Sequence, residues 1–204
     1  MSGRRRAARV DGWWSLVSPL YDRAVALVGW HRALAELVAD LAPGRVLDVG
    51  CGPAFLAPLV AARGASYVGV DSSARMLARA RRRAAETAGL VVRADATHLP
   101  FEDGSFDSVI ASAVIGLLPA AKRRAALGEL VRVTRGDVRL LEPIRLPGSA
   151  PTPLRVRVIA LARDGPIELD ELAAEGLTPV HLGPRFLGTY SLARAVPAEA
   201  SAGT

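Results

Sequence analysis

The chain has 204 residues, of which 50% are hydrophobic and 23% are charged. It is therefore long enough to fold as one domain around a sizeable core, and its composition excludes an intrinsically disordered chain. A single cysteine, Cys51, excludes an internal disulfide framework and a zinc site built from several cysteines. The three histidines lie far apart, so we predict no metal site. The longest uncharged run, residues 108–121, is too short to span a bilayer.

The 26 basic residues outnumber the 20 acidic ones, and all of them except Lys122 are arginine. The densest arginine clusters lie at residues 4–9 and 75–83. A surface that binds nucleic acid usually interleaves such charges with aromatic side chains that stack on bases, and neither cluster does. We therefore favour a solvated face over a nucleic-acid partner, and keep a nucleic-acid-binding module as the alternative.

The amino-terminal segment resembles a targeting signal only superficially. Residues 12–21 are uncharged and follow a basic cluster, but Pro19 interrupts them and charged residues come directly afterwards. A secretory signal has an uninterrupted aliphatic stretch and a small-residue cleavage site. We predict instead a helical lead-in or lid over residues 1–42 and a cytoplasmic protein.

Hydrophobic periodicity predicts the elements in chain order. Apolar residues at helical spacing over 13–41 predict a helix, which ends at Pro43. Strands predicted at 45–49, 66–71, 90–95, 106–114 and 137–142 alternate with helices at 55–63, 73–87 and 119–134. A short helix at 167–175 and a strand pair at 178–186 and 188–196 follow, and the tail at 197–204 frays. Alternating strands and helices predict an α/β domain over residues 43–196, with a parallel sheet covered on both faces.

Three of the predicted strands carry an acidic residue at or next to their carboxyl end: Asp48, Asp71 and Asp95. Parallel sheets bind ligands at the carboxyl ends of their strands, so these acids mark the site. Gly50 and Gly52 allow the backbone to approach a ligand closely. The second acid can accept hydrogen bonds from a ribose diol and the third from an exocyclic amine, whereas the first suits an ammonium or sulfonium cation.

This pattern separates two nucleotide-like ligands. A dinucleotide site needs Gly-x-Gly-x-x-Gly after the first strand, but Phe55 occupies the third glycine position. Asp48, just before the glycines, would also repel a pyrophosphate. S-adenosylmethionine carries no phosphate and has a cationic end, so the acids favour it over a nicotinamide cofactor.

Two segments resemble a known family. They read VLDVGCGPAFLAPLVAARGASYVGVDSSARMLARA and VVRADATHLPFEDGSFDSVIASAVIGLL. They resemble the class I S-adenosylmethionine-dependent methyltransferases, in particular the small-molecule branch that contains the ubiquinone and menaquinone biosynthesis enzymes. The resemblance covers about residues 41–143. It implies an enzyme with a Rossmann-like, doubly wound, mostly parallel seven-stranded sheet, an antiparallel closing strand pair and a helical lead-in.

The same resemblance implies which residues bind the cofactor. The glycine-rich motif, with Asp48, Gly50, Cys51 and Gly52, is placed around its methionine end. Asp71 is placed at its ribose, and Ser72 beside it also binds the cofactor. Met76 and the pair Asp95 and Ala96 are placed at its adenine, and the carbonyl of Ala113 at its ammonium group. Asp107 matches an acid that is as often structural as functional.

Two departures from the family leave the catalytic group open. Ala54 replaces a third glycine, and Val114 follows the fourth strand where many relatives have a histidine. The candidates for a general base are His98, Glu142 and Tyr21. Each has a structural alternative: His98 as a polar loop residue, Glu142 paired with Arg145 or capping a turn, and Tyr21 packing its ring.

The acceptor pocket is predicted between the lead-in helix, residues 115–118 and the loop after Pro143. Its apolar lining favours a small hydrophobic or aromatic methyl acceptor. A nucleic-acid-directed methyltransferase and a non-catalytic cofactor-binding scaffold are the alternatives. The oligomeric state stays open between monomer and homodimer.

Overall fold

The computed structural model describes residues 29–145, 165–185 and 190–197. Tyr21, most of the predicted lead-in helix, residues 154–162 and the tail after residue 197 lie outside these residues. In chain order the described elements are α1 (Trp30–Leu37), β1 (Arg45–Val49), α2 (Ala57–Ala61), β2 (Ser66–Asp71), α3 (Ala74–Ala85), β3 (Leu90–Arg93), β4 (Phe106–Ser112), a 3₁₀ turn (Ile115–Leu117), α4 (Ala120–Val133), β5 (Thr134–Glu142), α5 (Leu169–Ala174), β6 (Leu177–Arg185) and β7 (Tyr190–Pro197).

The seven strands form one sheet in the order β3-β2-β1-β4-β5-β7-β6. Strands β1 to β5 pair in parallel, and β7 runs antiparallel to both of its neighbours. The predicted doubly wound sheet with an antiparallel closing pair is therefore confirmed. Strand β1 lies between β2 and β4, so its carboxyl end opens at the point where the strand order reverses, which is where such sheets bind ligands.

Each face of the sheet carries its own hydrophobic core. Leu47 and Val49 of β1 pack with α4 and α5 on one face, and Val46 packs with α1, α2 and α3 on the other. Alternate residues of a strand point to opposite faces. Asp48 therefore shares its face with Val46, and it points towards the side that α1 to α3 cover.

The strand boundaries differ most from the predictions at β3, β4 and β5. Strand β3 ends at Arg93 because the chain then turns, with the Asp95 carboxylate accepting hydrogen bonds from the backbone and hydroxyl of Thr97. Strand β4 ends at Ser112, two residues early, because Ala113 adopts a left-handed φ of 54°. Strand β5 starts at Thr134, three residues early, and pairs with β4 through an irregular register.

Asp107 lies near the start of β4, at the edge of the sheet opposite the carboxyl ends of the parallel strands. Its carboxylate accepts hydrogen bonds from the backbone N–H of Arg45, at 2.8 Å, and from Nε of Arg135, at 2.7 Å. These contacts tie the beginnings of β1, β4 and β5 together, and they favour the structural interpretation of this residue.

A buried ionic network fixes α1 against the sheet. Arg139 of β5 is 3% exposed and binds the carbonyl of Leu37 and the carboxylates of Asp40 and Asp137. Arg194 of β7 contacts the same two carboxylates. Because the buried Arg139 guanidinium has ionic partners, its burial is compensated. The network therefore holds α1 in place, and with it Trp30 at the other end of that helix.

Among the described residues, no helix is both long enough and apolar enough to cross a membrane.

Candidate cofactor-binding site

The loop after β1 has an unusual backbone. Gly50, Gly52 and Ala54 all have positive φ, at 70°, 52° and 58°. A Cβ on Gly50 would also lie 2.5 Å from Cβ of Val114. Glycine is therefore required at position 50 for both conformation and space. Ala54 accepts a strained conformation where the family has glycine, and such strain clusters at functional sites.

The Asp71 carboxylate, at the end of β2, holds two backbone segments together. Its Oδ2 accepts a hydrogen bond from the N–H of Gly52 at 2.9 Å, and its Oδ1 accepts one from the N–H of Ser73 at 2.8 Å. Ser73 in turn caps α3 by accepting from the N–H of Met76. Ser72 is exposed, and its carbonyl accepts from Arg93. One carboxylate thus joins the glycine-rich loop to the start of α3.

A cavity of about 50 Å³ opens over the carboxyl end of β1. It brings together the first group of predicted residues, Asp48, Gly50, Cys51 and Gly52. The other residues that line it are Trp30, Leu34, Pro53, Phe55, Leu56 and Ser112. None of the described residues that line this cavity is basic.

Asp48 is 2% exposed, and its Oδ2 accepts a hydrogen bond from the Tyr67 hydroxyl at 2.7 Å. Burial raises the pKa of Asp48 from its ordinary 3.8 to about 7, the tyrosine hydrogen bond lowers it and the negative charge of Asp71 raises it. Burial also raises the pKa of the Cys51 thiol, with the two carboxylates adding to the effect. The pocket thus holds a carboxylate that titrates near neutrality and a thiol that stays protonated.

This raised pKa predicts how stability depends on pH. The folded state binds the proton of Asp48 more tightly than the unfolded state, so the stability gained from protonation is lost as pH rises through about 7. Taken in full, this rise in pKa corresponds to a loss of about 4 kcal/mol in the free energy of unfolding once Asp48 is ionised. Relaxation around the buried charge reduces the expected loss to on the order of 2 kcal/mol. Asp48→Asn should therefore be more stable than the wild type at pH 8 by about that amount.

Urea unfolding of both proteins at pH 5 and pH 8 checks this prediction. The difference in unfolding free energy between the variant and the wild type should grow with pH, since other titrating groups affect both proteins alike. Two parallel stability curves would show that Asp48 does not titrate in this range.

The structure places the predicted adenine-side residues away from the cavity. Asp95 is exposed, and hydrogen bonds from the backbone and hydroxyl of Thr97, with Lys122 nearby at 3.8 Å, lower its pKa. Met76 and Ala96 are half-buried. They lie after the carboxyl ends of β2 and β3.

The segment after β4 is held by Glu142, which is fully buried at the end of β5. Its Oε1 accepts the N–H groups of Val114 and Ile115, and its Oε2 accepts that of Gly116, at 2.7, 2.9 and 3.1 Å. Ala113, just before them, donates its N–H to the carbonyl of Leu141. Of the two structural alternatives for Glu142, the geometry supports the turn cap. Arg145 pairs with Glu168 instead.

Of the other base candidates, His98 does not line the cavity. His98 is an exposed residue in the turn after β3, where its N–H bonds the carbonyl of Asp95. Tyr21 lies outside the described residues.

Sequence reasoning missed several side chains at or behind the cavity. Trp30 lines the cavity and contacts Tyr190 edge to face, with ring centroids 5.4 Å apart. Phe55 lies under the guanidinium of Arg83, 4.5 Å from its ring centroid, and Arg83 also donates to the carbonyl of Pro53. Arg83 therefore stabilises two residues that line the cavity, and it is not simply part of a solvated face. Tyr67 lies on the predicted second strand, and its buried hydroxyl requires a partner, which the structure provides in Asp48.

The described residues contain no group of histidine, cysteine and carboxylate side chains that could hold a metal ion.

Known methyltransferases are similar to this chain in sequence and in fold. A family model described as a methyltransferase domain matches residues 46–137. A demethylmenaquinone methyltransferase of Thermus thermophilus is 40% identical over 63% of this chain and 62% of its own length. One from Clavibacter sepedonicus is 36% identical over 67% and 58%. The chain thus spans about three fifths of the length of these relatives.

A solved structure shares the fold. The magnesium protoporphyrin IX methyltransferase of Synechocystis, crystallised with bound S-adenosylhomocysteine, superposes with a TM-score of 0.67 at 24% identity, over 83% of this chain and 84% of that one. The methyltransferase-domain match, the relatives and the sheet order agree with one another. Residues 46–137 thus match a methyltransferase domain, and the chain is similar to the class I S-adenosylmethionine-dependent methyltransferases, whose cofactor is S-adenosylmethionine.

Proposed function

We propose that the protein transfers the methyl group of S-adenosylmethionine to a small hydrophobic or aromatic molecule, at an oxygen, nitrogen or carbon atom. The observation that carries the proposal is the cavity over β1, which has a buried carboxylate, a left-handed glycine loop and no basic residue among its described lining. A phosphate-bearing ligand would find no cation among the described residues that line the cavity. A ligand with a positively charged end finds a favourable partner.

The residues fit this cofactor in the following way. Asp48 and the loop from Gly50 to Gly52 would hold its methionine end, and Asp71 with Ser72 its ribose. Met76, Asp95 and Ala96 would hold its adenine, and the carbonyl of Ala113 its ammonium group. Carboxylate oxygens accept more than one hydrogen bond, so Asp71 can anchor Gly52 and still accept from a diol.

When bound, the cofactor supplies an electrophilic methyl group on a sulfonium. The contribution of the protein is to hold the acceptor in line with that group and to keep water away from it. Trp30, Leu34 and Phe55, which line the cavity together with the carboxylate, give it an apolar and aromatic wall. This wall supports a hydrophobic acceptor, and the names of the curated relatives make reduced quinones the first class to test.

The base assignment follows from the same geometry. Because three backbone N–H groups occupy the Glu142 carboxylate, we propose that it positions the segment after β4 rather than accepting a proton from the substrate. His98 and Tyr21 stay as candidates for an acceptor that must be deprotonated.

The proposal is tested by titrating S-adenosylmethionine and S-adenosylhomocysteine into the protein, then measuring transfer of a labelled methyl group to lipophilic quinols, phenols and amines. We expect binding of both nucleosides and transfer to at least one acceptor class. Binding without any transfer would favour the cofactor-binding scaffold. Absence of binding by the folded protein would contradict the proposal.

A further inference from the structure

Three buried polar side chains meet above one glycine, on the face of the sheet that carries Asp48. Tyr67 is 2% exposed and Cys51 is 7% exposed. Gly69 pairs directly with Asp48 across β1 and β2. A Cβ at Gly69 would lie 2.8 Å from the Tyr67 hydroxyl and 2.9 Å from the Cys51 sulfur. The missing side chain of Gly69 therefore creates the space in which the phenol reaches the carboxylate.

The contact joins the interior of the sheet to the cavity. Asp48 lines the cavity, whereas Tyr67 lies behind it within the core that α1, α2 and α3 cover. The hydrogen bond engages Oδ2 of the carboxylate. Since a carboxylate accepts several hydrogen bonds, acceptor capacity is left for a ligand in the cavity.

We propose that Tyr67 is a positioning residue: its hydroxyl holds the Asp48 carboxylate as the anionic wall of the cavity, against which the positively charged end of S-adenosylmethionine binds. The inference rests on the proposed function, because it concerns how this chain binds that cofactor.

The charges around Asp48 determine what the hydroxyl does. The groups that face Asp48 are Tyr67 and Asp71 from β2 and Cys51 from the loop. Burial and the neighbouring carboxylate raise the pKa of Tyr67 well above its ordinary value, so the phenol keeps its proton and remains a donor. A donor stabilises the ionised carboxylate, whereas burial and Asp71 favour the protonated form. Tyr67 is therefore the neighbour that keeps Asp48 charged near neutral pH.

This role predicts a pH dependence of binding. The cationic ligand binds the ionised carboxylate, so its affinity should rise with pH through about 7, where Asp48 titrates. S-adenosylmethionine carries a sulfonium charge that S-adenosylhomocysteine lacks, so the rise should be steeper for the former. A hydrogen bond to a charged group changes a carboxyl pKa by on the order of one to two pH units. Tyr67→Phe should move the midpoint upward by about that amount.

The experiment titrates both nucleosides into the wild type, Tyr67→Phe, Asp48→Asn and Ser66→Ala between pH 5.5 and 8. At pH 7, Tyr67→Phe should bind S-adenosylmethionine roughly tenfold more weakly, and the loss should shrink as pH rises. Asp48→Asn should bind weakly with a flat profile. Ser66→Ala, which removes a hydroxyl from the opposite end of β2, should match the wild type.

The outcomes distinguish a positioning role of Tyr67 from a purely structural role. They also distinguish a failure of this inference from a failure of the proposed function. An equal loss of affinity at every pH in Tyr67→Phe, or an unchanged midpoint, would overturn the inference while leaving the function intact. If Tyr67→Phe fails to fold, Asp48→Asn provides the test. The inference is overturned if the affinity of Asp48→Asn depends on pH in the same way as that of the wild type. If the wild type binds neither nucleoside, the proposed function is contradicted and the inference falls with it.

Discussion

Glu142→Ala is expected to destabilise the fold by about 3–5 kcal/mol, because it leaves buried backbone N–H groups without their acceptor, at about 1–3 kcal/mol for each group. The Glu142 carboxylate is fully buried, and it is a hydrogen-bond acceptor for three consecutive backbone N–H groups, those of residues 114–116. Alanine would leave these donors unpaired and open a cavity beneath the 3₁₀ turn. Urea unfolding at pH 7 measures the loss.

Two variants distinguish the turn cap from a catalytic role. Glu142→Gln retains the shape but replaces one acceptor oxygen with a donor group, so an intermediate loss of stability is expected. Glu86→Ala removes an exposed acid whose contact with Arg82 is 3.9 Å long, and its effect should stay below about 0.5 kcal/mol. A Glu142→Gln protein with wild-type stability and no methyl transfer would instead make Glu142 the catalytic base.

Asp71→Ala is expected to lower the affinity for S-adenosylmethionine at least about a hundredfold. The carboxylate would be lost both as the proposed acceptor for the ribose hydroxyls and as the anchor that binds Gly52 and Ser73. Losing two or three charge-assisted hydrogen bonds costs roughly 3 kcal/mol or more, which corresponds to this factor in the dissociation constant. Calorimetric titration measures it directly.

The matched control is Asp170→Ala. Asp170 is exposed on α5, which packs against β6 at the opposite edge of the sheet from β2 and β3. The same substitution there should leave the dissociation constant unchanged. Equal affinities of the wild type and Asp71→Ala would show that the ribose is bound elsewhere.

Sequence pattern was sufficient for the framework of the site. Strands β1 and β2 have the predicted bounds, because short apolar runs between glycines and prolines define buried strands locally. The three acids at strand ends could be placed at one edge of the sheet without coordinates, since parallel strands end on the same side. Element ends such as those of β3 and β5 were less accurate, because turns and irregular pairing at Asp95 and Thr134 decide them.

The chemistry around the acids depended on contacts distant in sequence. Tyr67 and Asp48 are 19 residues apart, and Glu142 reaches back 28 residues to the N–H of Val114. No local sequence pattern predicts these two hydrogen bonds, because they depend on the strand register and on the space that Gly69 leaves. Composition likewise indicated a solvated arginine face, whereas the fold uses Arg83 to support Phe55 and Pro53 at the cavity.

The sequence by itself determined the α/β architecture, the family resemblance and the order of the acids at the strand ends, because these depend on local periodicity and on residue types at strand ends. Only the tertiary structure decided which acid titrates near neutrality and which one caps a turn. Asp48 and Glu142 are both buried strand-end carboxylates. Their roles differ because one meets a single phenol beside a cavity, and the other meets three backbone N–H groups.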